Sequence, residues 1–107
     1  MRVPEVTVAE LAHVLGMESA PVLIDVRESD ELEISRFPAY THIPMSEITS
    51  RLAEIDPGSD LVIVCRTGNR SARVTAYLLQ AGYPRVRNLA GGINEWVRLV
   101  DPSQPVY

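Results

Sequence analysis

The stretch Leu61-Val62-Ile63-Val64-Cys65-Arg66-Thr67-Gly68-Asn69-Arg70-Ser71 constrains this chain more than any other. Four apolar residues, three of them β-branched, run straight into the only cysteine. A short apolar run bounded by a turn reads as a buried strand. An alanine- and leucine-rich segment begins at Ser71, a residue suited to the N-cap or first turn of a helix. Cys65 is therefore expected at the C-terminal end of a strand, its loop wrapping over a helix N-terminus. In open α/β sheets that edge is where ligands bind.

The physics of that position favours an anionic sulfur. The first N–H groups of a helix lack intrahelical partners and point toward the preceding loop. Gly68 can take positive φ, which turns successive loop N–H groups inward as an anion nest. Arg66 and Arg70 bracket the loop, and Arg73 lies one turn further on. Such surroundings favour the thiolate form of a cysteine, which is the nucleophile. A cysteine ending a strand is otherwise a small buried hydrophobe. The glycine turn, the two arginines and the helix start favour the reactive reading here.

The rest of the chain alternates. Glu5-Val6-Thr7 reads as a short strand, and Thr7 through Glu10 as a capping box opening a helix. Val8, Leu11, Val14 and Leu15 form its apolar face, and Gly16 stops it. His13 falls off that face and reads as a solvent histidine. Pro21 to Val26 reads as a buried strand, with Asp25 and Arg27 at the sheet edge that also carries Cys65. There they are expected to form the wall under the loop and to orient it by hydrogen bonds. Ser29 to Glu33 reads as an acidic helix start. Ser46 is expected to cap a helix with the stripe Ile48, Leu52 and Ile55. A further helix is expected from about Ser71 to Ala81, with Gly82 just past its end. Val86 to Leu89 reads as a strand. After the Gly91-Gly92 turn, Ile93, Trp96, Val97 and Val100 mark a last helix. Strands alternating with helices imply a mostly parallel sheet covered on both faces.

Composition narrows the function. Residues 1–107 suffice for a single domain with one core, with 101–107 expected as a loose tail because its two prolines block a regular helix. The net charge of −4 argues against a nucleic-acid or membrane-surface partner. All ten basic side chains are arginine, so those near Cys65 make a local positive site on an acidic chain. One cysteine excludes an internal disulfide and fits a reducing cytoplasm. One cysteine and two distant histidines make no metal site, and no cofactor is implied. No apolar run approaches a membrane span, and Met1-Arg2-Val3-Pro4 does not open a signal peptide.

Four stretches in order resemble the rhodanese-like domains. Cys65 to Ser71 resembles their active-site loop. Leu23-Ile24-Asp25-Val26-Arg27-Glu28 resembles their first core strand with its Asp-Val-Arg end. Ile43-Pro44-Met45-Ser46-Glu47-Ile48 resembles their Ile-Pro turn, and Asn88-Leu89-Ala90-Gly91-Gly92-Ile93 with Trp96 resembles their closing Gly-Gly-Ile-x-x-Trp turn. The resemblance implies an α/β, three-layer rhodanese-like fold with a central sheet of four or five strands, helices on both faces, and Cys65 at the bottom of a shallow, open pocket. It implies a sulfurtransferase that holds sulfane sulfur as a Cys65 persulfide. A small anionic donor such as thiosulfate would supply the sulfur, and cyanide, a thiol or thioredoxin would accept it. Arg66, Thr67, Gly68, Asn69 and Arg70 would bind the donor, with Asp25, Arg27 and Ser71 in support. The alternative is a sulfur-carrier or regulatory binding module with little turnover. One segment departs from the family: Ser35-Arg36-Phe37-Pro38-Ala39-Tyr40 stands where many members show Gly-His-Ile-Pro-Gly-Ala. The related cell-cycle phosphatases carry five residues between cysteine and arginine, whereas Arg66 to Asn69 make four here.

Overall fold

In a computed structural model, which describes residues 2–107, five parallel strands form one sheet. Met1, the first residue of the opening stretch discussed above, lies outside the described residues. The strands are β1 (Glu5–Val6), β2 (Val22–Asp25), β3 (Thr41–His42), β4 (Leu61–Val64) and β5 (Val86–Leu89). The helices are α1 (Val8–Val14), α2 (Asn69–Gln80) and α3 (Gly92–Leu99). The strand order is β1-β5-β4-β2-β3, so the run ending at Cys65 is the central strand. Ile24 lies beside Ile63 and Asp25 beside Val64.

The pleat sorts the core into two layers, because successive side chains of a strand point to opposite faces. Leu61, Ile63 and Cys65 pack with Val74 and Leu78 of α2. Val62 and Val64 pack with Leu11 of α1 and with Ile93, Trp96 and Val97 of α3. All four residues of β4 are buried, as the continuous apolar run requires. The two layers put helices on both faces of the sheet. Among the described residues, no helix is long and apolar enough to cross a membrane.

Local chemistry sets the element ends. Thr7 and Glu10 form the expected reciprocal capping box. Gly82 follows α2 at φ +100°, the left-handed conformation of a helix terminator. Two expectations about element ends change. Helix α2 begins at Asn69 with Gly68 as its N-cap, so Ser71 sits inside the first turn. The Ser46 helix is replaced by two 3-10 segments, Met45–Glu47 and Thr49–Glu54, and Ser46 caps neither. Pro44 in extended conformation starts the first, and Ile48, Leu52 and Ile55 still face the core.

Segment 101–107 is not loose. Its prolines deny it a helix, but side chains tie it down. Gln104 donates to the Arg36 carbonyl at 2.9 Å and accepts from the Arg36 N–H at 2.7 Å. Tyr107 and Asn94 exchange two further bonds, at 3.2 and 3.1 Å. The divergent loop is thus held by this segment, and Phe37 within it is buried against Trp96 with ring centroids 5.4 Å apart.

Candidate active site

Cys65 follows the last residue of β4, and Gly68 at φ +104° turns the chain into α2. This four-residue turn aims two amide N–H groups at the sulfur. Gly68 N–H lies 3.1 Å from Sγ and Ser71 N–H 3.4 Å. The Ser71 hydroxyl is a third neighbour of Sγ, at 3.2 Å. The two N–H donors, so placed at a helix N-terminus, stabilise negative charge on the atom that they face.

Three outside groups hold the turn. Ile93 N–H donates to the Cys65 carbonyl at 2.8 Å, and Asn94 N–H to the Arg66 carbonyl at 3.1 Å. Among the described residues no peptide bond is cis. A trans peptide sets its C=O and N–H on opposite sides, so the Arg66 and Thr67 N–H groups point away from α3. On the other flank, Asn88 Nδ2 donates to the Gly68 carbonyl at 3.2 Å, and Asn88 Oδ1 accepts from the Ser71 hydroxyl at 2.5 Å. Backbone approach at α3 is close enough that Gly92 admits no side chain. A Cβ there would lie 2.4 Å from the Arg66 carbonyl oxygen and 2.5 Å from that of Cys65.

The arginines divide. Arg66 is exposed, with its guanidinium carbon 4.9 Å from the Tyr107 ring centroid. Arg70 makes a bidentate pair with Glu31 at 2.7 and 2.8 Å. That pair holds the Glu31 carboxyl at a pKa of about 2, and it raises that of Arg70. Arg70 therefore reaches the site with much of its charge compensated. Arg73 is exposed. Thr67 and Asn69 are exposed members of the loop.

Asp25 and Arg27 are fully buried and paired, with Nη2 and Oδ2 2.8 Å apart. Burial works against the Arg27 charge, but the bonds to Asp25 and Tyr107 outweigh it and raise its pKa. The expectation that this pair bonds to the loop itself is corrected. Arg27 donates instead to the Glu31 carbonyl at 3.3 Å, the Ser35 carbonyl at 2.9 Å and the Tyr107 hydroxyl at 3.1 Å. It thus holds the turn that carries Glu31, and only through Glu31 does it reach Arg70. Cys65 itself is 1% exposed.

Asn88, Glu31 and Tyr107 were missed as site residues. A polar residue in the buried strand Val86-Arg87-Asn88-Leu89 is a legible signal for Asn88. Glu31 read only as part of an acidic helix start. Nothing in the sequence places Tyr107 near Cys65. Among the described residues no cluster of histidine, cysteine and acidic side chains could hold a metal ion.

Comparison with known proteins follows the same lines. The chain is 40% identical over 96 residues to a sulfurtransferase of Allochromatium vinosum, covering 90% of both chains. It is 36% identical over 94 residues to the adenylyltransferase and sulfurtransferase UBA4 of Meyerozyma guilliermondii, but spans only 22% of that protein against 80% of itself. The structure superposes on the human single-domain sulfurtransferase TSTD1 with a TM-score of 0.80 at 28% identity, covering 92% of this chain and 98% of that one. Residues 7–99 match the family model of the rhodanese-like domain, and the chain belongs to that family.

Proposed function

We propose that this chain is a sulfurtransferase of the thiosulfate type, with Cys65 as the nucleophile. The aim of the Gly68 and Ser71 N–H groups at Sγ carries the reading. The Cys65 thiolate attacks the outer sulfur of thiosulfate; the S–S bond breaks, and sulfite leaves with the bonding electrons. The persulfide's terminal sulfur then carries the negative charge, near the loop donors. A nucleophile such as cyanide attacks that outer sulfur, forms thiocyanate and returns the thiolate. Arg66 attracts the donor dianion, while Arg70, compensated by Glu31, serves mainly to fix the start of α2.

The short turn also favours sulfur over phosphorus. A cradle closed around a nearly buried sulfur suits one added sulfur atom. A phosphoryl group needs space for three equatorial oxygens and an in-line leaving group.

Intact mass measurement tests the proposal. After thiosulfate the protein should gain the mass of one sulfur atom, and cyanide should remove it repeatedly. Cys65→Ser should gain nothing while keeping its fold. A single round of loading without steady turnover would favour the carrier or regulatory reading. Hydrolysis of an aryl phosphate at a comparable rate would overturn the argument from loop size.

A further inference from the structure

We propose that Tyr107 is a positioning residue of the site, setting the preference of Cys65 for anionic over neutral reagents by holding both arginines of the loop. The inference rests on the reading of Cys65 as a nucleophile for anionic donors. It assigns to segment 101–107 a part in selecting them.

Tyr107 is attached to the site at three points. Its ring lies under the guanidinium of Arg66, the residue that follows the nucleophile. An exposed arginine samples many rotamers, and stacking on an aromatic face narrows them. Its hydroxyl donates to Glu31 Oε2 at 2.6 Å and accepts from Arg27 at 3.1 Å. The same Glu31 carboxylate grips Arg70 through both oxygens. The backbone of Tyr107 is clasped by the Asn94 side chain, while the Asn94 N–H holds the Arg66 carbonyl. One residue of α3 thus seats both the loop and the tyrosine. Arg66 is fixed at its backbone and at the end of its side chain by groups that share that seat.

A tail anchor alone would need none of this convergence on arginines. The two arms are separable. Tyr107→Phe removes the hydroxyl link to Glu31 and keeps the ring under Arg66. Tyr107→Leu removes both.

The test is the ratio of alkylation rates of Cys65 by iodoacetate and iodoacetamide. Cys65 is the only cysteine, so the reaction reports one atom. Any motion that uncovers the sulfur cancels in the ratio, which reports the local charge. Tyr107→Leu should lower the ratio by roughly three- to tenfold, the scale of a half-exposed cation–π contact. Tyr107→Phe should lower it less. In an Arg66→Ala background the effect of Tyr107→Leu should shrink to that of Tyr107→Phe, because the ring has lost its cation. An unchanged ratio in Tyr107→Leu overturns the proposal. So does an equal slowing of both reagents, or the same fall with and without Arg66. Should Tyr107→Leu fail to fold, Tyr107→Phe decides. A fall in its ratio of equal size with and without Arg66 supports the hydroxyl arm, and no fall refutes it. Absence of sulfur uptake from thiosulfate would sink the functional reading while leaving the ratio interpretable. Uptake with an unchanged ratio would sink only the role of Tyr107.

Discussion

The Ser71 hydroxyl lies 2.5 Å from Asn88 Oδ1, and the amide group at the other end of that side chain holds the Gly68 carbonyl. A strand on one side of the cysteine thus grips both the turn and the first coil of the helix. The grip fixes the orientation of the Asn88 amide, since one end must donate and the other accept.

Replacing Asn88 should therefore harm the site in a graded way. Asn88→Ala leaves buried partners unsatisfied and should cost about 1–3 kcal/mol of stability. Asn88→Asp should be worse for sulfur uptake, because a carboxylate would face the Gly68 carbonyl and bring negative charge near Sγ. Thermal melts and single-turnover loading with thiosulfate give the order. Asn88→Asp loading as fast as Asn88→Ala would contradict it.

Glycine positions offer a matched contrast. A Cβ at Gly82 would meet nothing within 4 Å, so Gly82→Ala should cost only the left-handed backbone strain of about 1–2 kcal/mol. Gly92 is also left-handed, at φ +60°, but its Cβ would strike the carbonyls that seat the cysteine loop. Gly92→Ala should cost more than Gly82→Ala and should abolish most sulfur uptake. Equal melting temperatures and equal loading for the two variants would disprove the seating argument.

The buried pair should tolerate no single deletion. Asp25→Ala strands a fully buried guanidinium and should cost about 3–5 kcal/mol. Substituting Arg27 with methionine in that background should recover little, because Arg27 also holds the carbonyls of Glu31 and Ser35. Denaturant titration of the single and double variants is the check; full recovery in the double would show those carbonyl bonds to be dispensable.

Acid should release the Glu31 link late. The carboxyl's folded pKa of about 2 lies below its unfolded value near 4.3, so its stabilisation is complete above the unfolded value. It fades as pH falls from there through about 2. Glu31→Gln should remove that slope from the acid-unfolding profile between those limits. Parallel profiles for the two proteins would show that the pair contributes no such linkage.

What the sequence disclosed followed from periodicity and from short motifs. The run from Leu61 to Cys65 read as a buried strand, and Thr7 with Glu10 announced the cap of α1. Ser71 was visible as a helix-start residue, though Gly68 takes the cap and leaves the Ser71 hydroxyl to bond Asn88 beside Sγ. The partner of Arg70 was hidden, because Glu31 lies 39 residues away and looks like its acidic neighbours. Tyr107 was hidden for a stronger reason. Two prolines argue truthfully against a helix, but irregular backbone says nothing about what its side chains reach. The 3-10 segments at Met45–Glu47 and Thr49–Glu54 kept the helical stripe's burial without its hydrogen bonds, a distinction that apolar spacing does not carry.

The seating of the Cys65 carbonyl on Ile93 N–H has a consequence for the order in which the protein can be made. Synthesis runs from the N-terminus, so Cys65 leaves the ribosome before Asn88, Gly92 and Ile93 exist to receive its loop. The same holds for β1, whose neighbour in the sheet is β5. The partners that hold the turn around the sulfur are therefore complete only once β5 and α3 have been made.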